Sequence, residues 1–238
     1  MSLSVRRDIP VLARLITVSA VALGAGLALT ACSPVKMGAA AVVGDQRITL
    51  ATLDTEITNL SQTAKQYPGI VQLSQAQETQ ETLTWLVRFQ INEELARQAG
   101  ITVSTAQAQK ALAQIYSAAK SEAQAQGVPN VTLNLILAAN GIPPNMSAEL
   151  GRWQAIENQF ILQANGGTVP TTTSAQSATT AKLQKAQCVA AKTLNIEINP
   201  QYGRLDYSNY QVVSAPGTVS RSAGPAPTAS PSGLTPAC

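Results

Sequence analysis

Side chains able to do acid–base, nucleophilic or metal chemistry are few in this chain. The 238 residues include 13 acidic residues and three cysteines but no histidine. Without histidine, Ser-His-Asp and Cys-His catalysis and most zinc chemistry are excluded. The composition therefore favours a protein that is not an enzyme and that carries no cofactor or metal.

Two pairs of glutamates are the nearest approach to an acid–base pair. Glu93 and Glu94 are neighbours on a predicted helix, where successive side chains point about 100° apart and do not converge. Glu149 and Glu157 lie two turns apart on another predicted helix. A solvated helix surface is the better interpretation of all four, and Glu93 is predicted to pair with Arg97 at four-residue spacing.

One cysteine stands where a processing site is expected. An apolar run from Leu15, preceded by three arginines, ends in Leu29-Thr30-Ala31-Cys32. A charged head, an apolar middle and small residues at the cut are typical of a secretory signal peptide. The last four residues also match the bacterial lipobox, in which the cysteine thiol is diacylated. We predict a lipoprotein signal peptide over residues 1–31 and lipidation of Cys32.

Two alternatives remain for this segment. It could be an ordinary signal peptide with a chance cysteine, or a single spanning helix, because the run is about the minimum length that crosses a bilayer. Under the lipoprotein interpretation, palmitate-type chains anchor the protein on the extracytoplasmic face of the cell membrane. The 207 residues after the cut carry 13 basic and 12 acidic side chains, a balance that does not indicate a nucleic-acid partner.

The other two cysteines can be considered together. If Cys32 is acylated, Cys188 and Cys238 are the thiols left in an oxidising compartment, and we predict that they pair. The bridge would close a loop of about 50 residues and hold the C-terminal tail. The alternative is two free or intermolecularly linked thiols.

The first part of the remaining chain is organised around a strong helix. Residues 32–39 form a tether of small residues, and residues 40–48 predict a short strand and a tight turn before a helix capped by Thr49. The strongest helix, Glu78–Ala99, has apolar residues on two nearly opposite sides and is therefore expected at the centre of the fold. Gly100 is predicted to end it.

Further helices complete a predicted domain over residues 40–213. Ser104 and Gln107 form a capping-box pattern, Ser147 is predicted to cap a later helix, and another helix is expected from about Ala178 to Leu194. Other segments are described by composition and alternation: a low-complexity connection over 167–180, a strand over 195–199, an ordered turn over 200–206 and a disordered tail over 214–238.

The predicted fold class is therefore mainly α. Five or six helices are accompanied by two or three very short strands. Early and late strands are expected to pair, because neither can satisfy its backbone hydrogen bonds alone.

Four segments resemble the SurA N-terminal domain. The sequence AVVGDQRIT at Ala41–Thr49 resembles its opening strand and turn, and Leu86–Ala99 resembles its second helix. Gly100–Ser104 is similar to the link into its third helix, and Ile196–Gly203 to the segment that returns to complete the domain. The resemblance covers about residues 40–208, and the same architecture occurs in PrsA-type foldase lipoproteins.

The resemblance implies a role in handling unfolded secreted polypeptides. Some members carry an inserted parvulin domain that isomerises X-Pro bonds, with a His-lined pocket. The corresponding interval here, residues 167–180, is several times too short for such a domain, and the chain has no histidine. We expect non-catalytic binding of unfolded or newly secreted polypeptides at the membrane. The alternative is an accessory lipoprotein that docks one specific cell-envelope partner.

Aromatic side chains are the candidates for such a binding surface, because a large exposed apolar groove usually binds something. Each could instead simply fill the core. The five candidates are Trp85, Phe89, Tyr116, Trp153 and Phe160.

Overall fold

A computed structural model describes residues 38–214. The described residues all belong to one compact unit. The described helices are α1 (Leu50–Ala64), α2 (Gln75–Ala99), α3 (Thr105–Ala125), α4 (Leu133–Ala139), α5 (Ser147–Ala164) and α6 (Thr173–Thr193). The described strands are β1 (Ala39–Val43), β2 (Gln46–Thr49), β3 (Glu197–Ile198), β4 (Arg204–Asp206) and β5 (Gln211–Val213). The predicted fold class, mainly helical with a small β element, is confirmed.

The predicted pairing of early and late strands is also confirmed. β1 is the middle strand of a three-stranded antiparallel sheet, with β2 on one side and β3 on the other. Val42 pairs with Arg47 on β2 and with Glu197 on β3. Beyond β3, the Asn199 side chain donates to the backbone oxygen of Ala39 at 3.0 Å. The late segment is thus held against the start of the domain.

The helix α2 lies at the centre, as its two apolar sides predict. It contacts α1, α5, α6, β1 and β5. Four of its apolar side chains are at most 2% exposed and belong to the main core: Leu83, Val87, Ile91 and Leu95. On its other side, Phe89 is buried and Trp85 partly buried in a second cluster with residues of α4 and α5. Gly100 ends the helix in the left-handed conformation (φ 64°), as predicted.

The starts of two helices differ from the sequence-based prediction. α2 begins at Gln75, three residues before the predicted start, because Ser74 and Gln77 form a capping box. The prediction that Ser147 caps α5 was wrong. Ser147 is the first residue of that helix, which continues from a 3-10 turn at Pro144–Met146 and has no side-chain cap.

The helix α6 begins at Thr173, earlier than the predicted start at Ala178. Thr172 provides the cap by accepting a hydrogen bond from the backbone nitrogen of Ala175 at 3.3 Å. Polar residues suit this helix because their hydroxyls find partners: Thr179 donates to the Asn165 side chain at 2.9 Å. Residues 165–172 therefore link α5 to α6, and residues 173–180 of the predicted connection are helical.

A two-stranded hairpin follows β3, where only an ordered turn over 200–206 was predicted. Its strands β4 and β5 are antiparallel. Thr84 accepts a hydrogen bond from the backbone nitrogen of Val212 at 2.9 Å, and one turn earlier Gln80 donates to Ser214 at 2.8 Å. Residues four apart share one face of a helix, so these contacts hold β5 alongside α2.

Candidate functional site

An open cavity of about 180 Å³ lies where α2, α5 and α6 meet the turn between β4 and β5. α2 contributes three of its lining residues, α5 two, α6 one and the turn two. They are Trp85, Arg88, Ile91, Trp153, Glu157, Gln187, Asn209 and Tyr210. The cavity therefore joins residues that are up to 125 positions apart in the chain.

Two tryptophans, the only ones in the chain, form the aromatic part of the wall. Trp85 and Trp153 meet edge to face, with ring centroids 6.0 Å apart and planes at 85°. Trp85 also lies 5.7 Å from the ring of Phe89 and donates from its indole nitrogen to the backbone oxygen of Asn140 at 3.2 Å. These contacts fix the Trp85 ring, while both indoles remain only partly buried.

Arg88 forms a second part of the wall. Its guanidinium carbon lies 5.1 Å from the centre of a Trp85 ring, a cation–π contact. Its Nε donates to the backbone oxygen of Tyr210 at 3.2 Å and its Nη2 to that of Asn209 at 2.9 Å. Burial lowers the pKa of Arg88, and the charges of Glu81 and Glu157 partly offset that change. The guanidinium stays charged, so it fixes the hairpin turn and leaves a cation at the cavity.

Glu157 places a carboxyl group at the same cavity. The residue is 9% exposed, and its Oε1 accepts a hydrogen bond from Gln187 at 2.7 Å. Burial raises the pKa of this carboxyl to about 7, although the Gln187 hydrogen bond and the charge of Arg88 both act to lower it. The interpretation of Glu157 as part of a solvated helix surface was therefore wrong. α6 covers that side of α5, and periodicity within α5 carries no information about this contact.

The other glutamates form surface or inter-helix pairs. The predicted pairing of Glu93 with Arg97 was wrong, because Arg97 pairs with Glu94 and Glu93 pairs with Arg152 on α5. Glu94 is itself 8% exposed, so its interpretation as solvated was also wrong. Glu149 is exposed, as predicted.

The structure brings together three of the five aromatic candidates. Trp85 and Trp153 line the cavity, and Phe89 supports Trp85 from the second core cluster. Tyr116 lies elsewhere on α3 and donates to the backbone oxygen of Val131 at 3.2 Å. Phe160 packs, partly buried, against the main core. Tyr116 and Phe160 are thus not part of the cavity wall.

Sequence reasoning missed Arg88, Gln187, Asn209 and Tyr210. A signal existed for Arg88 alone, since it stands three residues after Trp85 on one helix and residues at that spacing are neighbours. The other three reach the cavity only through the docking of α6 and of the hairpin. Tyr210 also has a left-handed backbone (φ 50°), which its residue type does not predict.

Several predicted features fall outside residues 38–214. They are the signal peptide at 1–31, Cys32, most of the tether, Cys238 and all but the first residue of the tail. Cys188 is buried on α6 and is disulfide-bonded. Its pairing with Cys238 stays a prediction, since no other cysteine lies within the described range.

Two other kinds of feature are absent from residues 38–214, a metal-binding cluster and a membrane-spanning helix. Across residues 38–214, three or more cysteine or carboxylate side chains nowhere meet in a group that could hold a metal ion. Nor does this part of the chain contain a helix with the length and apolar content needed to cross a bilayer.

The fold and its cavity define a helical domain closed by a sheet of early and late strands. Residues 7–161 match the family model of the SurA-like N-terminal domain. This match covers more than half of the chain, and the protein belongs to that family. Membership relates it to the chaperone family. No curated protein and no solved structure gives a significant match.

The family match divides the cavity wall. Trp85, Arg88, Trp153 and Glu157 lie within the matched residues, whereas Gln187 and the hairpin turn lie beyond them. The match ends within α5, so the resemblance of Ile196–Gly203 to the returning segment lies outside it.

Proposed function

We propose that this protein binds unfolded or newly secreted polypeptides, without catalysis, on the extracytoplasmic face of the cell membrane. The observation that carries the proposal is the open cavity walled by Trp85 and Trp153 within a SurA-like N-terminal domain. Tryptophan, tyrosine and arginine, which all line this cavity, are the residue types enriched in binding hot spots.

The proposed location depends on the residues before the domain. The sequence Leu29-Thr30-Ala31-Cys32 matches a lipobox, and the basic and apolar residues before it fit a signal peptide. Lipidation of Cys32 would place the binding cavity close to the membrane, where secreted chains emerge. Mass spectrometry of the mature N-terminus tests this part: a diacylated Cys32 is expected, and an unmodified Cys32 or another N-terminus would contradict it.

A non-catalytic role fits the chemistry of the cavity. Its acid–base groups are one carboxyl, Glu157, one phenol, Tyr210, and the guanidinium of Arg88, which is engaged with two backbone oxygens. Residues 165–172 connect α5 to α6, which is far too little chain for an inserted isomerase domain. We therefore propose that the protein has no prolyl isomerase activity.

Suppression of aggregation tests the binding function. The detergent-solubilised full-length protein is expected to slow the aggregation of several unrelated denatured proteins. Trp153→Ala should weaken the effect by about tenfold in the concentration required, which is the usual scale for an aromatic hot spot. Tyr116→Ala is the matched control, because Tyr116 is also a partly buried aromatic but lies away from the cavity.

Two results would argue against this function. Absence of any protection at stoichiometric excess would contradict binding of unfolded chains. Co-purification of one dominant folded partner, together with absence of protection, would favour the accessory lipoprotein instead.

A further inference from the structure

Two residues that line the cavity, Glu157 and Arg88, each have a polar atom that no residue in the range 38–214 uses, an acceptor on Glu157 and a donor on Arg88. Oε1 of Glu157 is occupied by Gln187, and within residues 38–214 Oε2 accepts no hydrogen bond. Oε2 is also not one of the fully buried oxygen atoms that lack a partner in the described chain, so part of its surface is accessible to solvent. Arg88 uses Nε and Nη2 on the hairpin turn, and its Nη1 donates to no group in the same range.

The two groups belong to one electrostatic site. Arg88 and Glu157 both line the cavity, and each shifts the pKa of the other. The Arg88 guanidinium would therefore repel a cationic ligand, and the Glu157 carboxylate would repel an anionic one. A neutral ligand that both donates and accepts hydrogen bonds avoids either repulsion.

A carboxamide satisfies these requirements. Its oxygen accepts and its NH₂ group donates, from two atoms bound to the same carbon. The group is flat and can pack against an indole. The volume of about 180 Å³ is on the scale of a single side chain, not of a folded segment.

We infer that the cavity binds the side-chain carboxamide of a glutamine or asparagine in an unfolded polypeptide. The amide oxygen accepts from Arg88, the amide nitrogen donates to Glu157, and Trp85 and Trp153 contact the flat face and the aliphatic stem. This inference rests on the proposed function and specifies which part of the client the cavity recognises.

The two tryptophans make the inference directly measurable. Because Trp85 and Trp153 are the only tryptophans in the chain and both line the cavity, intrinsic fluorescence of the full-length protein reports on this site. The probes are blocked pentapeptides, acetyl-Gly-Gly-X-Gly-Gly-dimethylamide, in which X is glutamine, glutamate, lysine, leucine or glycine; the tertiary amide at the C-terminus has no NH₂ group, so only the glutamine peptide carries a primary carboxamide. The glutamine peptide is expected to change the emission and to bind about tenfold or more tightly than the others.

A pair of variants tests the assigned contact. At pH 8, above the pKa of about 7 that burial gives Glu157, the carboxyl is ionised, and Glu157→Gln should weaken binding of the glutamine peptide by about tenfold, since a hydrogen bond to a charged acceptor is about twice as strong as a neutral one. Glu149→Gln removes a carboxylate from an exposed position on the same helix and should leave the affinity unchanged. Circular dichroism confirms that both variants are folded.

Each remaining outcome decides the question. Equal binding of the glycine peptide would show recognition of the backbone, and tighter binding of the lysine or leucine peptide would show another preference; each overturns the inference. A denatured client that changes the fluorescence while the glutamine peptide does not would overturn the inference but leave the proposed function intact. Absence of any response to client and peptides alike would count against both.

Discussion

Replacing the buried carboxyl Glu157 by glutamine should change how stability depends on pH. Burial raises the pKa of this group from 4.5 to about 7 in the folded protein. Between these two values the folded protein holds the proton and the unfolded chain releases it. The free energy of unfolding therefore falls as the pH rises through this window, and the contribution that is complete below pH 4.5 is lost above about pH 7.

The size of the effect follows from the same shift. Each pKa unit corresponds to about 1.4 kcal/mol, so the change from 4.5 to about 7 amounts to about 3 kcal/mol. Little solvent screening is expected, because Glu157 is 9% exposed. Glu157→Gln keeps the shape and can still accept from Gln187. The variant should match the wild type near pH 4, below the window, and be about 3 kcal/mol more stable near pH 8, above it.

Urea unfolding followed by tryptophan fluorescence at several pH values measures this difference. Burial also raises the pKa of Glu56, Glu78 and Glu81, so the difference between the wild type and the variant, and not either curve alone, isolates Glu157. The exposed Glu149→Gln variant is the control and should run parallel to the wild type. A Glu157→Gln curve that also runs parallel would refute the burial of this carboxyl and its place in the cavity.

Two further substitutions test how the site is held. Thr84→Val removes the acceptor of the buried Val212 amide and should cost about 1–3 kcal/mol, with faster hydrogen exchange of that amide as the readout. Gly44→Ala places a Cβ 2.9 Å from the Leu194 side chain in a turn with φ 59°. It should cost about 1–2 kcal/mol from the backbone, plus a steric contribution, in thermal unfolding.

Each of these substitutions has a control on the same kind of element. Thr79→Val also removes a hydroxyl from α2, but this partly exposed hydroxyl donates to Gln75 within its own helix, so the hairpin amides should stay protected. Gly100→Ala has a similar φ of 64° with open space around the new Cβ, so it should show the backbone cost alone. Equal losses in the two glycine variants would show that Leu194 does not pack tightly on the turn.

Features encoded within a few consecutive residues could be predicted from the sequence. Thr49, Gly100 and the Ser104–Gln107 capping box each act on their own helix terminus, and all three stand where they were expected. Ser74 and Gln77 form the same capping-box pattern. The residues around them are polar and show no apolar periodicity, so the first turn of α2 was not predicted. The two apolar sides of α2 predicted its central position, because a helix with such sides needs neighbours on both.

Features that arise when distant segments dock could not be predicted in this way. Glu157 looks like a surface residue within α5 and is buried only because α6 supplies Gln187 above it. The strands of the C-terminal hairpin are three residues long, and it is held by side chains of α2 that lie more than 120 positions earlier. The tryptophans could be chosen as candidates by type, but their meeting at one cavity required the packing of α2 against α5.

The binding of an unfolded chain at the Trp85–Trp153 cavity is the central claim, and fluorescence tests it most directly. The measurement is a titration of the full-length protein with a denatured polypeptide that lacks tryptophan, with binding followed in parallel by anisotropy of a label on that polypeptide. A saturable change in tryptophan emission that coincides with the anisotropy curve is the predicted result. Binding by anisotropy with unchanged tryptophan emission would place the contact elsewhere and contradict the claim.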